Sequence, residues 1–269
     1  MNRNIDGSAL SFEQDSRIHF EEKVHIYTVD GLGQFTSVSQ VISKFFEPFD
    51  SVRWSLRKTY GDEAKALQLR DEWTARGEKA SQAGTHLHKQ IEEYLSQGRQ
   101  PTMETQVDYD GPVVHLHETI SIEREWHHFN AFKNDVSFRP FRTEWCVYDE
   151  DARMAGTIDL LCACDDGTFE IYDWKRSNRI NPAEPNRWAT GKNGLEHLTD
   201  TAYMHYCLQQ NLYCYILEKN YGLRIKQMHL VVLHPDFDTY QLVKIPRMER
   251  EVKTILLNHP YIELPSVSR

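Results

Sequence analysis

The stretch "AGTIDLLCACDDGTFEIYDWKRS", residues Ala155–Ser177, decides the fold because it predicts a β-hairpin that carries charges inside its apolar strands. Two runs rich in β-branched and aromatic residues flank a turn at Asp165–Gly167. Asp159, Asp173 and Lys175 stand within those runs rather than at their ends. Because an unpaired buried carboxylate is unfavourable, these three charges require a chemical reason.

Side-chain alternation places Asp173 and Lys175 on one face of their strand and Trp174 on the other. A tight hairpin also brings Asp159 close to Asp173, and two neighbouring carboxyl groups raise each other's pKa. A divalent cation relieves both problems, since Mg²⁺ takes ionised oxygen ligands and substrate phosphate oxygens. The trio therefore predicts a metal-assisted phosphodiester hydrolase in which Lys175 orients the attacking water.

The D-x-K triplet of Asp173–Lys175 is weak evidence when it is taken alone. Such a triplet arises by chance about once or twice in a chain of this size, so composition alone favours a structural role. The motif G-x-x-D in "GTID", Gly156–Asp159, precedes it on the adjacent predicted strand and favours a site.

The flanking sequence predicts a mixed sheet with helices on both faces. The predicted order is helix, three strands, helix and strand, or αβββαβ, preceded by a short hairpin and helical additions. We expect an N-terminal extension over residues 1–70 and one compact unit over residues 71–269. Within these, residues 99–116 are expected to form a loop, a helix should cover Glu118–Asp135, and the upstream helix should be interrupted near Gly84.

Composition excludes several classes of protein. No apolar run reaches the length of a membrane span, and the polar N-terminus lacks a signal-peptide core, which predicts a soluble intracellular protein. Five cysteines without a C-x-x-C pair argue against a disulfide framework or an iron–sulfur cluster. The net charge of −9 argues against a protein that coats nucleic acid, although Lys175–Lys192 forms a local basic segment.

With "AGTIDLL" followed by "EIYDWKRS", the sequence resembles the PD-(D/E)xK nuclease superfamily, and within it the RecB-like domains and mitochondrial genome maintenance exonucleases. The resemblance implies a restriction-endonuclease-like core and one or two Mg²⁺ or Mn²⁺ ions. It assigns Asp159, Asp173 and Lys175 to catalysis. It assigns the metal to both aspartates together with the backbone carbonyl of Trp174.

A second mark of the family is an upstream helix with the pattern G-T-x-x-H-x-x-x-E, present here as "GTHLHKQIE". It implies His88 as a further metal ligand and Glu92 as an accessory group on the same helix face. The alternative is a surface helix with ordinary polar residues. Glu144 is a possible accessory ligand, and the alternative for it is a plain charge on an edge strand.

A third mark is Q-x-x-x-Y in the helix after the triplet, which the spacing assigns to Gln209 and Tyr213 rather than to the neighbouring Gln210. The resemblance implies that this pair borders the site and contacts nucleic acid, whereas the alternative is a helix packed on the sheet. The family usually has threonine after the triplet, where Arg176 stands here. Further contacts to nucleic acid are expected from the basic segment, through Arg176, Arg179, Arg187, Trp188 and Lys192.

Together these features predict a metal-dependent deoxyribonuclease with a role in DNA repair or recombination. The resemblance favours an exonuclease that acts on the ends of single-stranded DNA. A structure-specific or RNA-directed endonuclease is one alternative, and a non-catalytic nucleic-acid-binding module is another. The sequence has no P-loop motif, so a helicase or recombinase partner would be a separate chain.

Overall fold

The computed structural model describes residues 4–21, 24–183 and 189–259. Its centre is an eight-stranded mixed sheet with helices on both faces, which confirms the predicted fold class. The strands of this sheet are β1 (Ile18–Glu21), β2 (Ile26–Val29), β3 (Leu32–Ser37), β6 (Pro140–Asp149), β7 (Met154–Ala163), β8 (Phe169–Lys175), β9 (Ile225–Val232) and β10 (Gln241–Ile245). A separate hairpin consists of β4 (Glu104–Asp110) and β5 (His115–Ser121).

Seven helices connect the strands in the described ranges. They are α1 (Gln14–Arg17), α2 (Val38–Ser43), α3 (Ser51–Lys58), α4 (Glu63–Gln97), α5 (Glu123–Asp135), α6 (Ala202–Asn220) and α7 (Glu249–Asn258). The predicted αβββαβ order corresponds to α5, β6, β7, β8, α6 and β9. None of these helices combines the length and the apolar character that a membrane span requires.

The strand order is β1-β2-β3-β7-β8-β9-β10, and β6 pairs with β7 along nearly its whole length. Because β6 occupies one edge of β7, both β3 and β8 must share the other edge. β3 pairs in parallel with β7 at Met154 and Ala155, whereas β8 pairs with it only from Leu160 onward. The edge of β7 between these two pairings is therefore free of a strand partner, and it contains Asp159.

The sheet separates two hydrophobic clusters, as the alternation along β8 predicts. Ile171 points into the larger cluster, with side chains of α2, α6 and α7. Tyr172 and Trp174 point into the smaller cluster, where Phe129 of α5 and Leu87 of α4 are fully buried. Asp173 and Lys175 are two and four positions after Ile171, so they project from the same face of β8 as Ile171, which is the face covered by α6.

The N-terminal segment joins the central sheet directly. The predicted hairpin and helix are present as β2, β3 and α2, and Ser37 caps α2 in a capping box with Gln40. Thr36 pairs with Met154 of β7. The expected boundary after residue 70 falls inside the continuous helix α4, and the two-part division stays a prediction.

Two local predictions were wrong. Residues 99–116 were expected to form a loop, but they contain β4 and the beginning of β5, so α5 begins at Glu123 rather than at Glu118. Val107 is the buried residue of β4, and such a mostly polar strand gives almost no hydrophobic period to recognise. The helix α4 also runs through Gly84 without a break, because tertiary packing overrides the modest helix penalty of glycine.

A buried carboxylate of α4 helps to fasten the β4–β5 hairpin. Asp71 is 3% exposed and accepts hydrogen bonds from the Tyr109 hydroxyl and from the backbone N–H groups of Val113 and Val114. These donors lie on β4 and in the turn, so Asp71 helps to orient the hairpin, and Gln82 of α4 adds two hydrogen bonds to the backbone of Asp108.

We expect Asp71→Asn to loosen the hairpin without unfolding the sheet. An amide has one acceptor oxygen and no charge, so the turn N–H groups keep only a weaker acceptor and the tyrosine hydroxyl must change from donor to acceptor. Hydrogen exchange should become faster over residues 104–121 and stay unchanged in β7 and β8. The control is Asp110→Asn, whose side chain is 92% exposed on the same hairpin. Equal protection in both variants would contradict this role for Asp71.

Candidate metal centre

Three carboxylates stand in a row across the strands β6, β7 and β8. The last β7–β8 pair before the strands separate is Leu160 with Tyr172, so Asp159 and Asp173 lie opposite each other just beyond it. The β6–β7 register places Glu144 beside Asp159 on the other side. The separation of β7 from β8 opens the space into which these side chains project.

The backbone at Glu144 is left-handed, with φ of 43° in the middle of a strand. Such a conformation is uncommon for a residue other than glycine, and it occurs preferentially at functional sites. Burial raises the pKa of Glu144 well above its ordinary value, and the charges of Asp159 and Glu92 raise it further. Glu92, the predicted accessory residue on α4, therefore acts electrostatically on this carboxyl group.

His88 reaches the row from α4 on the predicted helix face. Its Nε2 lies 2.9 Å from the backbone oxygen of Trp174. Because a carbonyl can only accept, Nε2 carries the proton and Nδ1 keeps a free lone pair. That Nδ1 lies 3.4 Å from Oδ2 of Asp159 and 3.9 Å from Oε1 of Glu144. Burial and the Lys175 ammonium group lower the pKa of His88 to about 4, so the ring is neutral at physiological pH.

These atoms fit a divalent cation. One ligand atom each from His88, Glu144 and Asp159 lies within 4.8 Å of the others. All three atoms are electron-pair donors that face one another, so a cation or a proton must offset their repulsion. His88 and Glu144 are each 27% exposed, which leaves the site open to an ion from solvent. A neutral imidazole with two carboxylates suits a divalent metal ion.

The main chain of Trp174 connects two of these ligands. Its N–H donates to Oδ2 of Asp159 at 2.9 Å, and its carbonyl accepts from His88. Both main-chain groups of Trp174 lie on the edge of β8 that no longer pairs with β7. The side chains of Asp159 and His88 therefore replace the hydrogen bonds that β7 would otherwise make there. The carbonyl predicted as a metal ligand thus holds His88 in this structure, and its direct contact with an ion stays a prediction.

Asp173 lies 2.6 Å from the Lys175 ammonium group through Oδ2, and its Oδ1 accepts from the Gln210 amide at 2.9 Å. Burial and the neighbouring Asp159 raise the pKa of Asp173 to about 6. Although burial alone would lower the pKa of Lys175, the Asp173 and Asp159 carboxylates raise it above its ordinary value. The ammonium nitrogen also lies 4.6 Å from the ring centre of Tyr206.

The helix α6 presents Gln210 to the site, rather than the Gln209 that the spacing selected. The amide of Gln209 lies 3.3 Å from the Tyr213 hydroxyl, and Tyr213 is 4% exposed. Tyr213 packs on Gly156, where a Cβ atom would come within 2.6 Å of the ring. The glycine of "GTID" therefore makes room for the tyrosine of Q-x-x-x-Y, and the burial of Tyr213 argues against direct contact with nucleic acid.

The predicted contacts in the basic segment are placed differently from one another. Arg176 projects away from the site and donates to Glu125 of α5 at 2.7 Å, with both side chains largely buried. It is therefore not free to bind a phosphate. Arg179 is exposed, and Lys192 pairs with Glu47 at 2.8 Å. The remaining two, Arg187 and Trp188, lie outside the described residues.

A family model matches most of the chain. A sequence model described as the PD-(D/E)XK nuclease superfamily matches residues 55–259, a range that includes His88, Glu144, Asp159, Asp173 and Lys175. Nucleases of this superfamily use divalent metal ions.

Fifteen chains of solved structure also match. One, titled "Crystal structure of SSO0001", is 14% identical, and the alignment covers 82% of this chain and 75% of that chain with a TM-score of 0.31. No curated protein matches the sequence.

We expect Mg²⁺ binding to weaken as the pH falls through about 6. The folded-state pKa of Asp173 is about 6, and that of Glu144 is also raised, so protons compete with the ion below this pH. The same shifts make the metal-free fold less stable as the pH rises, because the folded state then loses protons that it binds more tightly than the unfolded chain. The increase in Tm on adding Mg²⁺ should be larger at pH 8 than at pH 5. An increase that does not depend on pH would contradict this prediction.

The adjacent glutamines provide a matched test of the geometry. Gln210→Ala removes the donor to Asp173 and should weaken Mn²⁺ binding by about tenfold, as is typical for loss of a residue that orients a metal ligand. Gln209→Ala, one position earlier on α6, should have a smaller effect. Isothermal titration of each variant with Mn²⁺ measures both affinities. Equal losses, or a larger loss for Gln209→Ala, would show that Gln210 does not hold Asp173 in solution.

Proposed function

The chain belongs to the PD-(D/E)XK nuclease superfamily, and on that basis we propose that it is a divalent-metal-dependent deoxyribonuclease acting on the ends of single-stranded DNA. The observation that carries the proposal is the convergence of Asp159, Asp173 and Lys175 with the free lone pair of His88. Buried carboxylates side by side are unfavourable unless a cation is bound. Their retention beside an ammonium group fits catalysis better than stability.

We assign the ion to His88, Glu144 and Asp159, whose ligand atoms lie together, with Asp173 beside them. A divalent ion held there would polarise a phosphoryl oxygen and lower the pKa of water. The low pKa of His88 suits this role, because a neutral imidazole donates its lone pair to a cation. Glu92 keeps the local field negative, which favours cation binding further.

Lys175 is assigned an electrostatic role. Its raised pKa keeps it protonated, so it can donate hydrogen bonds but cannot serve as a base at neutral pH. Asp173 and the Tyr206 ring hold the ammonium group from two sides. An ammonium group fixed in this way stabilises the negative charge that develops on the phosphoryl oxygens in the transition state.

The choice of an exonuclease on single-stranded DNA rests on the resemblance to the RecB-like and mitochondrial genome maintenance branch. The rival within the enzyme class is a structure-specific or RNA-directed endonuclease. A non-catalytic binding module is less favoured, because the acidic pair and the lysine are all present and lie side by side, with Lys175 paired to Asp173. Roles in repair or recombination, with a helicase or recombinase as a separate partner, are proposed on the same resemblance.

Replacing the central residues should abolish cleavage. We expect Asp159→Ala and Asp173→Ala to remove activity below detection and Lys175→Ala to reduce it by about 10²- to 10³-fold, since one electrostatic donor is lost. The matched control is Asp165→Ala, a fully exposed aspartate in the turn of the same hairpin. Labelled single-stranded DNA incubated with Mg²⁺, Mn²⁺ or EDTA measures each rate.

The form of the substrate separates the rival functions. Cleavage of linear but not of circular single-stranded DNA supports the exonuclease. Cleavage of the circular DNA or of RNA supports the endonuclease. Binding without any cleavage by the wild-type protein would leave only the binding module. Parent-level rates in both aspartate variants would show that the carboxylates are not the catalytic groups.

A further inference from the structure

A second surface has the chemistry of a nucleic-acid contact, and it lies away from the metal centre. The helix α3 turns Arg53, Trp54, Arg57 and Lys58 outward, and all four side chains are exposed. Arg53 and Arg57 are four positions apart, as are Trp54 and Lys58, so the two pairs lie next to each other on one side of the helix. We call this face, together with Phe49 before the helix and Tyr60 after it, the α3 surface.

The aromatic rings of the α3 surface are exposed to an unusual degree. Phe49 is 68% exposed, Trp54 is 40% exposed and Tyr60 is 99% exposed. The opposite side of the helix is occupied, since the hydroxyl of the fully buried Ser55 accepts from Arg70 of α4 at 2.9 Å. Several exposed aromatic residues within a short segment are typical of an interaction site.

Cations accompany these rings. The Arg57 guanidinium carbon lies 5.3 Å from the ring centre of Trp54, and the Lys58 ammonium nitrogen lies 5.5 Å from that of Trp73 on α4. Residues 49–60, which span the α3 surface, contain three basic residues and one acidic residue, Asp50, in a chain whose net charge is −9. A polyanion approaching this acidic protein is therefore attracted locally to the α3 surface.

The helix α4 connects the α3 surface to the metal centre. Trp73 and His88 are 15 residues apart on this continuous helix, which corresponds to about 22 Å along its axis and to positions about 60° apart around it. Gly77 and Gly84 lie between them on the same side, and a Cβ atom at either position would meet nothing within 4 Å. The surface of α4 is therefore uncrowded at these two positions between the α3 surface and His88.

We propose that the α3 surface binds the unpaired bases and phosphates of a single-stranded nucleic acid whose end lies in the metal centre. This inference rests on the proposed function and extends it by placing a substrate-holding site away from the reacting bond. Bases stack on Trp54 and Tyr60, while Arg57 and Lys58 bind phosphates. At the 3.4 Å rise of a stacked strand, the connecting distance corresponds to about six nucleotides.

The combination favours a single strand over other partners. Paired bases are stacked inside a duplex and cannot cover an exposed indole or phenol, whereas every unpaired base has a free π-face. A protein partner would use the rings equally well, but the excess of positive charge on this face of an acidic chain complements phosphates.

Binding in EDTA tests the proposal without cleavage. Fluorescence anisotropy with labelled dT30 compares the wild-type protein with Trp54→Ala/Tyr60→Ala and with Arg57→Ala/Lys58→Ala. The charge-matched control is Arg250→Ala/Lys253→Ala, which removes two exposed cations from α7. Thermal melting confirms that each variant is folded.

We expect the Trp54→Ala/Tyr60→Ala variant to bind dT30 at least fivefold more weakly than the wild-type protein does. Its affinity for a duplex of the same length should fall much less. The Arg57/Lys58 variant should lower the slope of log K against log salt by about 1.4, since each lost contact with a single strand removes about 0.7. In Mg²⁺, the advantage of dT30 over dT4 in kcat/KM should fall in both variants, because dT4 is too short to reach from the metal centre.

The outcomes separate this inference from the proposed function. If the wild-type protein cleaves dT30 and the α3 variants bind and cleave it as the control does, the inference is wrong and the nuclease stands. If binding depends on the α3 surface but nothing is cleaved, the inference stands and the nuclease is wrong. Absence of dT30 binding by the wild-type protein, or equal losses on duplex and single strand, would also overturn the inference.

Discussion

The repulsion between carboxylates at the point where β7 and β8 separate is the constraint on which the rest of the site depends. Asp159 and Asp173 face each other there, Glu144 stands beside them, and burial raises the pKa of all three. A fold selected for stability alone would not keep three acidic groups side by side. The Lys175 ammonium group offsets part of this negative charge, and the unprotonated nitrogen of His88 is placed to bind a cation that would offset more of it.

The separation of the two strands also explains how the ligands are held. Where β8 leaves β7, the main-chain groups of Trp174 lose their ladder partners and bind Asp159 and His88 instead. A buried backbone group must find a partner, so the opening of the sheet orients the site. The indole of Trp174 meanwhile packs between Phe129 and Phe132 of α5, which anchors this peptide from the opposite face.

Sequence reasoning placed the acidic pair and the lysine together from strand alternation and a tight hairpin, and added His88 from the family motif. The structure does bring these side chains together, and their roles in catalysis and metal binding stay predictions. Sequence reasoning did not select Gln210 or identify Tyr206, since adjacent helix positions differ by only about 100° and the rotation of α6 on the sheet decides which side chain points inward. It also assigned a phosphate contact to Arg176, whose partner Glu125 lies 51 positions earlier in the chain. Contacts of that kind leave no local signal.

The amino-acid sequence by itself determined the order of the elements, the two-residue period that puts Asp173 and Lys175 on one face, and the need for a cation beside buried carboxylates. Those features follow from local geometry and from the free energy of burying charge. Only the tertiary structure decided that Glu144 joins the row, that Tyr213 packs on Gly156, and that a long helix links exposed aromatic residues to His88. Each of these depends on how distant segments pack, and packing is a property of the whole fold.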